Sequence, residues 1–307
     1  MPAKEVLDFD LAWINSIKVE DAEIKSRVST AKFADPKSIG ENLTSAAIKN
    51  VITVIDLASL VGTETPESIA ELCRKAVSPM DEADGEIKVP KDPSVHCATV
   101  CIYPARIQDA VESLKSSGAD KSVLVAAVAA GFPSGAYPLH TRLAEVAYAV
   151  SAGAQEIDVV IDRSLVLRGL WQQLYEELVQ IRKACGEATL KVILSVTECG
   201  GFTNIYRASA TAMLAGADFV KTSTGKEAVT ASLNEGLVMC CAIKAFYNRT
   251  GIKVGLKPAG GVRTLETAIS WLLLVKQELG PEWADPKLFR IGSSALKVFA
   301  NYLNNTN

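Results

Sequence analysis

From residue 48 onward the chain repeats one unit: a short β-rich apolar run, a turn, and a longer amphipathic stretch. That alternation constrains the fold more than any single motif does. The β-rich runs are Ile52–Leu57, Ala98–Tyr103, Ser122–Ala127, Glu156–Ile161, Lys191–Val196, Asp218–Lys221, Lys253–Lys257 and Leu288–Ile291. Helical periodicity fills the intervals near 64–76, 105–118, 138–152, 165–185, 203–215, 230–248 and 264–279, with a last helix after Ser293. Runs this apolar suit strands buried on both faces, as in a parallel sheet sheathed by helices. Eight units in about 260 residues predict an α/β protein of the (β/α)8 TIM-barrel type. A doubly wound open sheet is the alternative. It has less support, because no strand-turn-helix carries GxGxxG and no GxxxxGK[ST] loop is present.

Residues 1–45 read as an N-terminal helical extension and 46–307 as the catalytic barrel. Asp8 to Ile17 has apolar residues at helical spacing, Asp21 to Lys32 is charged enough for a solvated helix, and Asp35-Pro36 breaks what precedes it. Ser78 to Ser94, with three prolines, is a polar insertion before strand two; barrel geometry puts it on the face away from chemistry.

Bulk properties narrow the function. A formal net charge of −3 with no long basic run offers nothing to nucleic acid or an anionic membrane. No apolar run approaches the roughly 20 residues of a transmembrane helix. The N-terminus lacks a signal-peptide core, and the seven cysteines, odd in number and mostly in apolar segments, fit reduced thiols in the cytoplasm.

In β/α barrels the chemistry is built where strands end. Standing there are Asp56, Cys101, Tyr103, Asp158, Asp162, Glu198, Lys221, Lys257 and Gly292-Ser293-Ser294. Only two histidines exist, His96 and His140, so a histidine triad or multi-histidine metal site is poorly supplied. His96-Cys97 with Cys101 has no matching distant cluster, and no metal is expected. Cys101 is read as packing. Lys191 opens its strand, at the end remote from the chemistry, and is given no role.

Two lysines organise the site. Each follows an apolar run and precedes a glycine-containing turn, in VKTSTGK (220–226) and GLKPAGGVR (255–263). On neighbouring strands, roughly 5 Å apart, two ammonium groups repel each other, and one gives up its proton near neutral pH. The neutral amine can add to an aldehyde as a Schiff base while the charged partner donates protons. Asp158, inside the apolar EIDVV, must find a cation or strong donors; it is expected to bridge to a barrel lysine and to shuttle protons with Lys257. Asp56, in VIDL, is a weaker case of the same kind, with an orienting or a participating role open. The turns after strands six, seven and eight bring Thr224-Gly225-Lys226, Gly260-Gly261 and Gly292-Ser293-Ser294 together. Exposed backbone N–H groups, helix N-termini and the Lys226 cation make a phosphate cup.

VKTSTGK, GLKPAGGVR, EIDVVI (156–161), CIYPAR (101–106) and FRIGSS (289–294) together resemble the deoxyribose-phosphate aldolase family, in its longer, animal-type members. The resemblance covers roughly residues 48–300. It implies a class I aldolase without metal or cofactor that splits 2-deoxy-D-ribose 5-phosphate into D-glyceraldehyde 3-phosphate and acetaldehyde. Lys221 would form the Schiff base, Asp158 and Lys257 the proton relay. Gly225, Lys226, Gly260, Gly261, Gly292, Ser293 and Ser294 would fall at the phosphate. A homodimer is the implied assembly. The chain departs from the family pattern at Ala58, where the strand-one motif usually has threonine, at Val196–Cys199 and at Ala295. A Schiff-base barrel for another sugar phosphate, or a barrel without turnover serving as a scaffold, are the competing readings.

Overall fold

The computed structural model describes residues 5–89 and 92–305. Four helices come first: α1 (Leu11–Ser16), α2 (Asp21–Ser29), α3 (Pro36–Glu41) and α4 (Ser45–Thr53). The barrel then runs β1 (Ile55–Ala58), α5 (Pro66–Val77), β2 (Thr99–Ile102), α6 (Ile107–Ser116), β3 (Leu124–Ala129), α7 (Leu139–Ser151), β4 (Glu156–Val160), α8 (Arg163–Leu167) and α9 (Trp171–Cys185). It continues through β5 (Thr189–Ile193), α10 (Phe202–Leu214), β6 (Phe219–Lys221), α11 (Leu233–Thr250), β7 (Gly255–Lys257), α12 (Leu265–Glu278), β8 (Ile291–Ser293) and α13 (Leu296–Asn305).

All strand pairs are parallel, in the order β7-β6-β5-β4-β3-β2-β1-β8. The bridge Leu256↔Phe289 joins β7 to the segment leading into β8, and Ala259↔Gly292 joins the residues just past β7 to β8, bringing the sheet to near closure. The eight-unit rhythm is therefore the (β/α)8 barrel it predicts. Local differences follow from pairing. Ile52 lies in α4, not in the first strand. The predicted 165–185 helix is two helices, because Gly169 adopts φ +67 between them. The last strand ends later than periodicity suggests, so Gly292 and Ser293 lie on it.

The N-terminal segment packs on the barrel's own outer helices. Asp10 caps α1 by accepting from Trp13 N–H at 2.8 Å, and Asp35 caps α3 with Pro36 at its first position. Leu7 N–H donates to the Leu214 carbonyl, Arg207 donates to the Ile17 carbonyl, and Arg27 pairs with Glu278 at 2.7 Å. Ile14 and Phe33 are fully buried there. The insertion before β2 docks on α13: Asn301 bonds Asp84 twice, and Asn304 bonds both Lys88 N–H and the Glu86 carbonyl. Its Pro90 lies outside the described residues.

The barrel interior is unusual. Layers of branched apolar side chains normally fill it. Here seven buried charged side chains share it: Asp56, Glu156, Asp158, Lys191, Lys221, Lys257 and Arg290.

Candidate active site

Parity along the strands sets this interior. Glu156 and Asp158 are two residues apart on β4, and therefore face the same side. Register places Asp158 opposite Lys191 on β5, and Lys221 of β6 opposite Lys257 of β7. Asp158 is the hub: Lys191 Nζ reaches its Oδ1 at 3.0 Å, while Lys221 Nζ and Lys257 Nζ reach its Oδ2 at 2.7 and 2.6 Å. Asp56 accepts from Lys257 through Oδ2 and from Arg290 Nη1 through Oδ1 at 2.7 Å. Lys191 Nζ also lies 3.0 Å from Asp56 and 2.5 Å from Glu156, and Arg290 grips both Glu156 oxygens at 2.8 and 3.1 Å.

Lys191 thus corrects the sequence reading. Its strand begins at Thr189, so the residue sits in mid-strand and binds three carboxylates inside the barrel. Only a boundary two residues too late put it at the remote end.

The two lysines at the mouth titrate in opposite directions. Burial drives Lys221 below the ordinary lysine value; the Lys257 charge pushes the same way, and Asp158 opposes without cancelling them. Burial also acts against Lys257, but Asp158 and Asp56 outweigh it and hold that ammonium above its ordinary value. Lys191 is raised further: burial is overcome by Asp158, Asp56 and Glu156. Asp158 would be raised by burial, yet Lys191, Lys221 and Lys257 hold it far below the usual carboxylate range. Counting charges gives the same answer. Four bases face three acids, and a dry interior that must balance sheds one proton. Lys221 has one carboxylate partner among the described residues, shared with two other lysines. It is the base that yields.

Above the network opens a cleft of about 410 Å³. Lys221, Lys257 and Asp56 form its floor, with Asp158 behind the two lysines; Thr224, Gly225, Lys226, Gly260, Gly261, Gly292, Ser293 and Ser294 line one side. Ala58, Leu60 and Cys101 form a less polar side. Five donors of the expected cup are already engaged: Thr224 N–H and Gly225 N–H by Glu227 at 2.8 and 3.0 Å, Lys226 N–H by Thr224 Oγ1, Gly292 N–H by the Pro258 carbonyl, and the Ser293 hydroxyl by the Val262 carbonyl at 2.7 Å. The Lys226 side chain, the Gly260-Gly261 turn and Ser294 remain for an anion. Gly260 and Gly261 both need positive φ, +80 and +77, which a side chain would strain. Asp162 and Glu198 serve elsewhere, the first capping α8 and the second pairing with Arg163.

Sequence reasoning passed over several residues here. Arg263 lines the cleft beside Gly261 and adds a second cation; it stood in view in GLKPAGGVR. Glu156 and Arg290 belong to the charge network, signalled by their two-residue spacing from Asp158 and Gly292. Glu227 accepts from Ser195 Oγ at 2.7 Å and Thr224 N–H at 2.8 Å besides Gly225, tying the β6 turn to the loop after β5. Burial works against its ionisation, but these bonds hold it below the ordinary glutamate value.

A parallel barrel whose mouth presents a proton-poor lysine beside a charged one and an anion-friendly rim has the makings of a carbonyl-handling aldolase. The chain belongs to the DeoC/LacD family of aldolases, whose model matches residues 50–278. It is 47% identical over 289 residues to the deoxyribose-phosphate aldolases of Mus musculus and Homo sapiens, a span that is 94% of this chain and 90% of each relative. Among solved structures, a Toxoplasma gondii crystal structure superimposes with a TM-score of 0.74 at 25% identity, covering 86% of this chain and 96% of that one. The deoxyribose phosphate aldolase of Aeropyrum pernix, described as a tetramer, shares the fold with a TM-score of 0.65 at 23% identity, covering 86% and 97%. Among the described residues no helix is long and apolar enough to cross a membrane.

Proposed function

We propose that the protein is a 2-deoxy-D-ribose 5-phosphate aldolase that cleaves its substrate reversibly to D-glyceraldehyde 3-phosphate and acetaldehyde. The carrying observation is the unequal pair: Lys221 pushed toward the neutral amine, Lys257 held as ammonium, one carboxylate oxygen between them. The neutral Lys221 amine adds to the aldehyde carbon, and loss of water gives an iminium. Removal of the C3 hydroxyl proton, relayed through water to Asp158, lets the C2–C3 bond break. Its electron pair moves into the iminium, leaving an enamine and releasing glyceraldehyde 3-phosphate. Lys257 returns a proton to the enamine carbon, and hydrolysis frees acetaldehyde and the Lys221 amine. Lys226, Arg263, the Gly260-Gly261 turn and Ser294 hold the phosphate at the rim; Asp56 keeps Lys257 charged.

The relatives' printed activity supports this substrate, and seven free thiols support a reducing, cytoplasmic setting. A homodimer is proposed from the family resemblance. Reduction with borohydride during incubation with deoxyribose 5-phosphate, followed by peptide mass mapping, tests the reading. The adduct is expected on Lys221, and acetaldehyde release is expected to vanish in Lys221→Ala. An adduct formed by a different sugar phosphate and not by this one would overturn the substrate; no adduct with any aldehyde would overturn the chemistry.

A further inference from the structure

Arg290 touches neither lysine at the mouth, yet it occupies a commanding place below them. Its side chain is 6% exposed. It bridges Glu156 of β4 and Asp56 of β1 with three bonds of 2.7 to 3.1 Å, donates through Nε to the Pro286 carbonyl, and lies over the Phe219 ring at 5.7 Å. Nothing in the proposed reaction uses it. A buried guanidinium gripped this way is a permanent charge. By occupying Asp56 Oδ1 it leaves Oδ2 to Lys257 and Lys191, and by occupying Glu156 it keeps that carboxylate from reaching upward.

We propose that Arg290 and Glu156 are positioning residues for the aldol reaction, acting as the fixed-charge layer whose balance decides whether the Lys221 amine is free to react. This rests on Lys221 being the reacting amine. The groups facing Lys221 are Asp158 from β4, Lys257 from β7, Lys191 from β5 and the Cys101 thiol from β2; Asp56 acts through Lys257. With Lys221 neutral, the remaining Lys191, Lys257 and Arg290 match Asp56, Glu156 and Asp158 one for one. Removing either fixed charge breaks the match, in opposite senses. Without Arg290 the interior is one charge too negative, and Lys221 keeps its proton. Without the Glu156 charge it is one too positive, and Lys221 loses its proton more readily.

The test pairs Arg290→Gln with Glu156→Gln and reads the acid limb of kcat/KM against pH, with the borohydride adduct mapped in each protein. A charge one ion pair removed should move the limb by roughly one pH unit, up in Arg290→Gln and down in Glu156→Gln. Limbs that stay in place, or that move the same way in both, overturn the inference even if turnover falls. If circular dichroism shows that Arg290→Gln does not fold, Glu156→Gln decides alone: a lowered limb supports the proposal, and an unmoved or raised one sinks it. A wild-type adduct on a residue other than Lys221 would instead refute the underlying reaction.

Discussion

Replacing Lys257 with methionine removes one charge from the barrel while keeping most of the side chain's length. Its nitrogen and that of Lys221 bond the same oxygen of Asp158 at 2.6 and 2.7 Å, so the two lie at most 5.3 Å apart. At an effective dielectric of about 20, two unit charges roughly 5 Å apart repel by about 3 kcal/mol, equivalent to about two pH units. Lys257→Met lifts that repulsion and leaves three carboxylates facing Lys191, Lys221 and Arg290, a balanced set only if Lys221 is protonated. The fold is therefore expected to survive, as judged by thermal melting. Borohydride trapping at Lys221 is expected to fail near pH 7 and to recover at alkaline pH, the acid limb having moved up by about two units. Steady-state turnover is expected to stay low at every pH, because the proton donor to the enamine is gone. Trapping at wild-type rate at pH 7 would refute the claim that Lys257 tunes its neighbour, and unchanged turnover would remove Lys257 from the mechanism altogether.

Lys226→Ala is expected to raise KM for the phosphorylated sugar by about 10- to 100-fold and to leave unphosphorylated deoxyribose unaffected; equal loss on both substrates would remove Lys226 from the anion site. Ile14→Ala is expected to destabilise the protein by about 2–4 kcal/mol in urea, because the side chain is fully buried, with KM unchanged; a loss within 0.5 kcal/mol, about that of a surface change, would mean that the α1 contact is dispensable. Asp56 and Asp158 titrate below their unfolded value of about 4, so their stabilisation is complete above that pH and is lost as pH falls through their folded values. Urea midpoints are expected to drop between pH 5 and pH 3, and Asp158→Asn to flatten that slope; equal slopes would count against the network. Burial raises Cys185 and Cys199 to about 12, so a thiol reagent is expected to modify the half-buried Cys241 before either, as peptide mapping would show.

Architecture and mouth were legible in the sequence for different reasons than the floor. Eight apolar runs with helical intervals have few solutions, and the barrel follows from counting them. Lys221 and Lys257 were legible because each ends an apolar run beside glycine, a local signal. The charged layer is not local. Lys191 and Arg290 are partners of Asp56 and Glu156 across strands far apart in sequence, and their roles depend on register that no single segment encodes. The start of β5 at Thr189 moves Lys191 from the strand's remote end to its middle, and pairing opposite Asp158 brings it to the carboxylates. The engaged donors at the rim were hidden for a related reason. The Thr224-Gly225-Lys226 turn advertises free N–H groups, whereas Glu227 fills two of them from within its own loop.

The interior also explains why a lysine pair alone is an incomplete account of the reactive amine. Two lysines near one aspartate could both stay charged if another carboxylate lay nearby, and the barrel does hold Asp56 and Glu156. Those acids are not available to Lys221. Asp56 is held by Lys257, Lys191 and Arg290, and Glu156 by Lys191 and Arg290. Breaking one partner out of such a buried set commonly costs 3–5 kcal/mol, so the lower ion pairs do not rearrange to serve the mouth. Lys221 is left with a third share in one carboxylate, in a site that burial already makes hostile to its charge. On this argument the neutral amine is a property of the whole barrel interior, and residues two strands away from the aldehyde can control it without ever touching substrate.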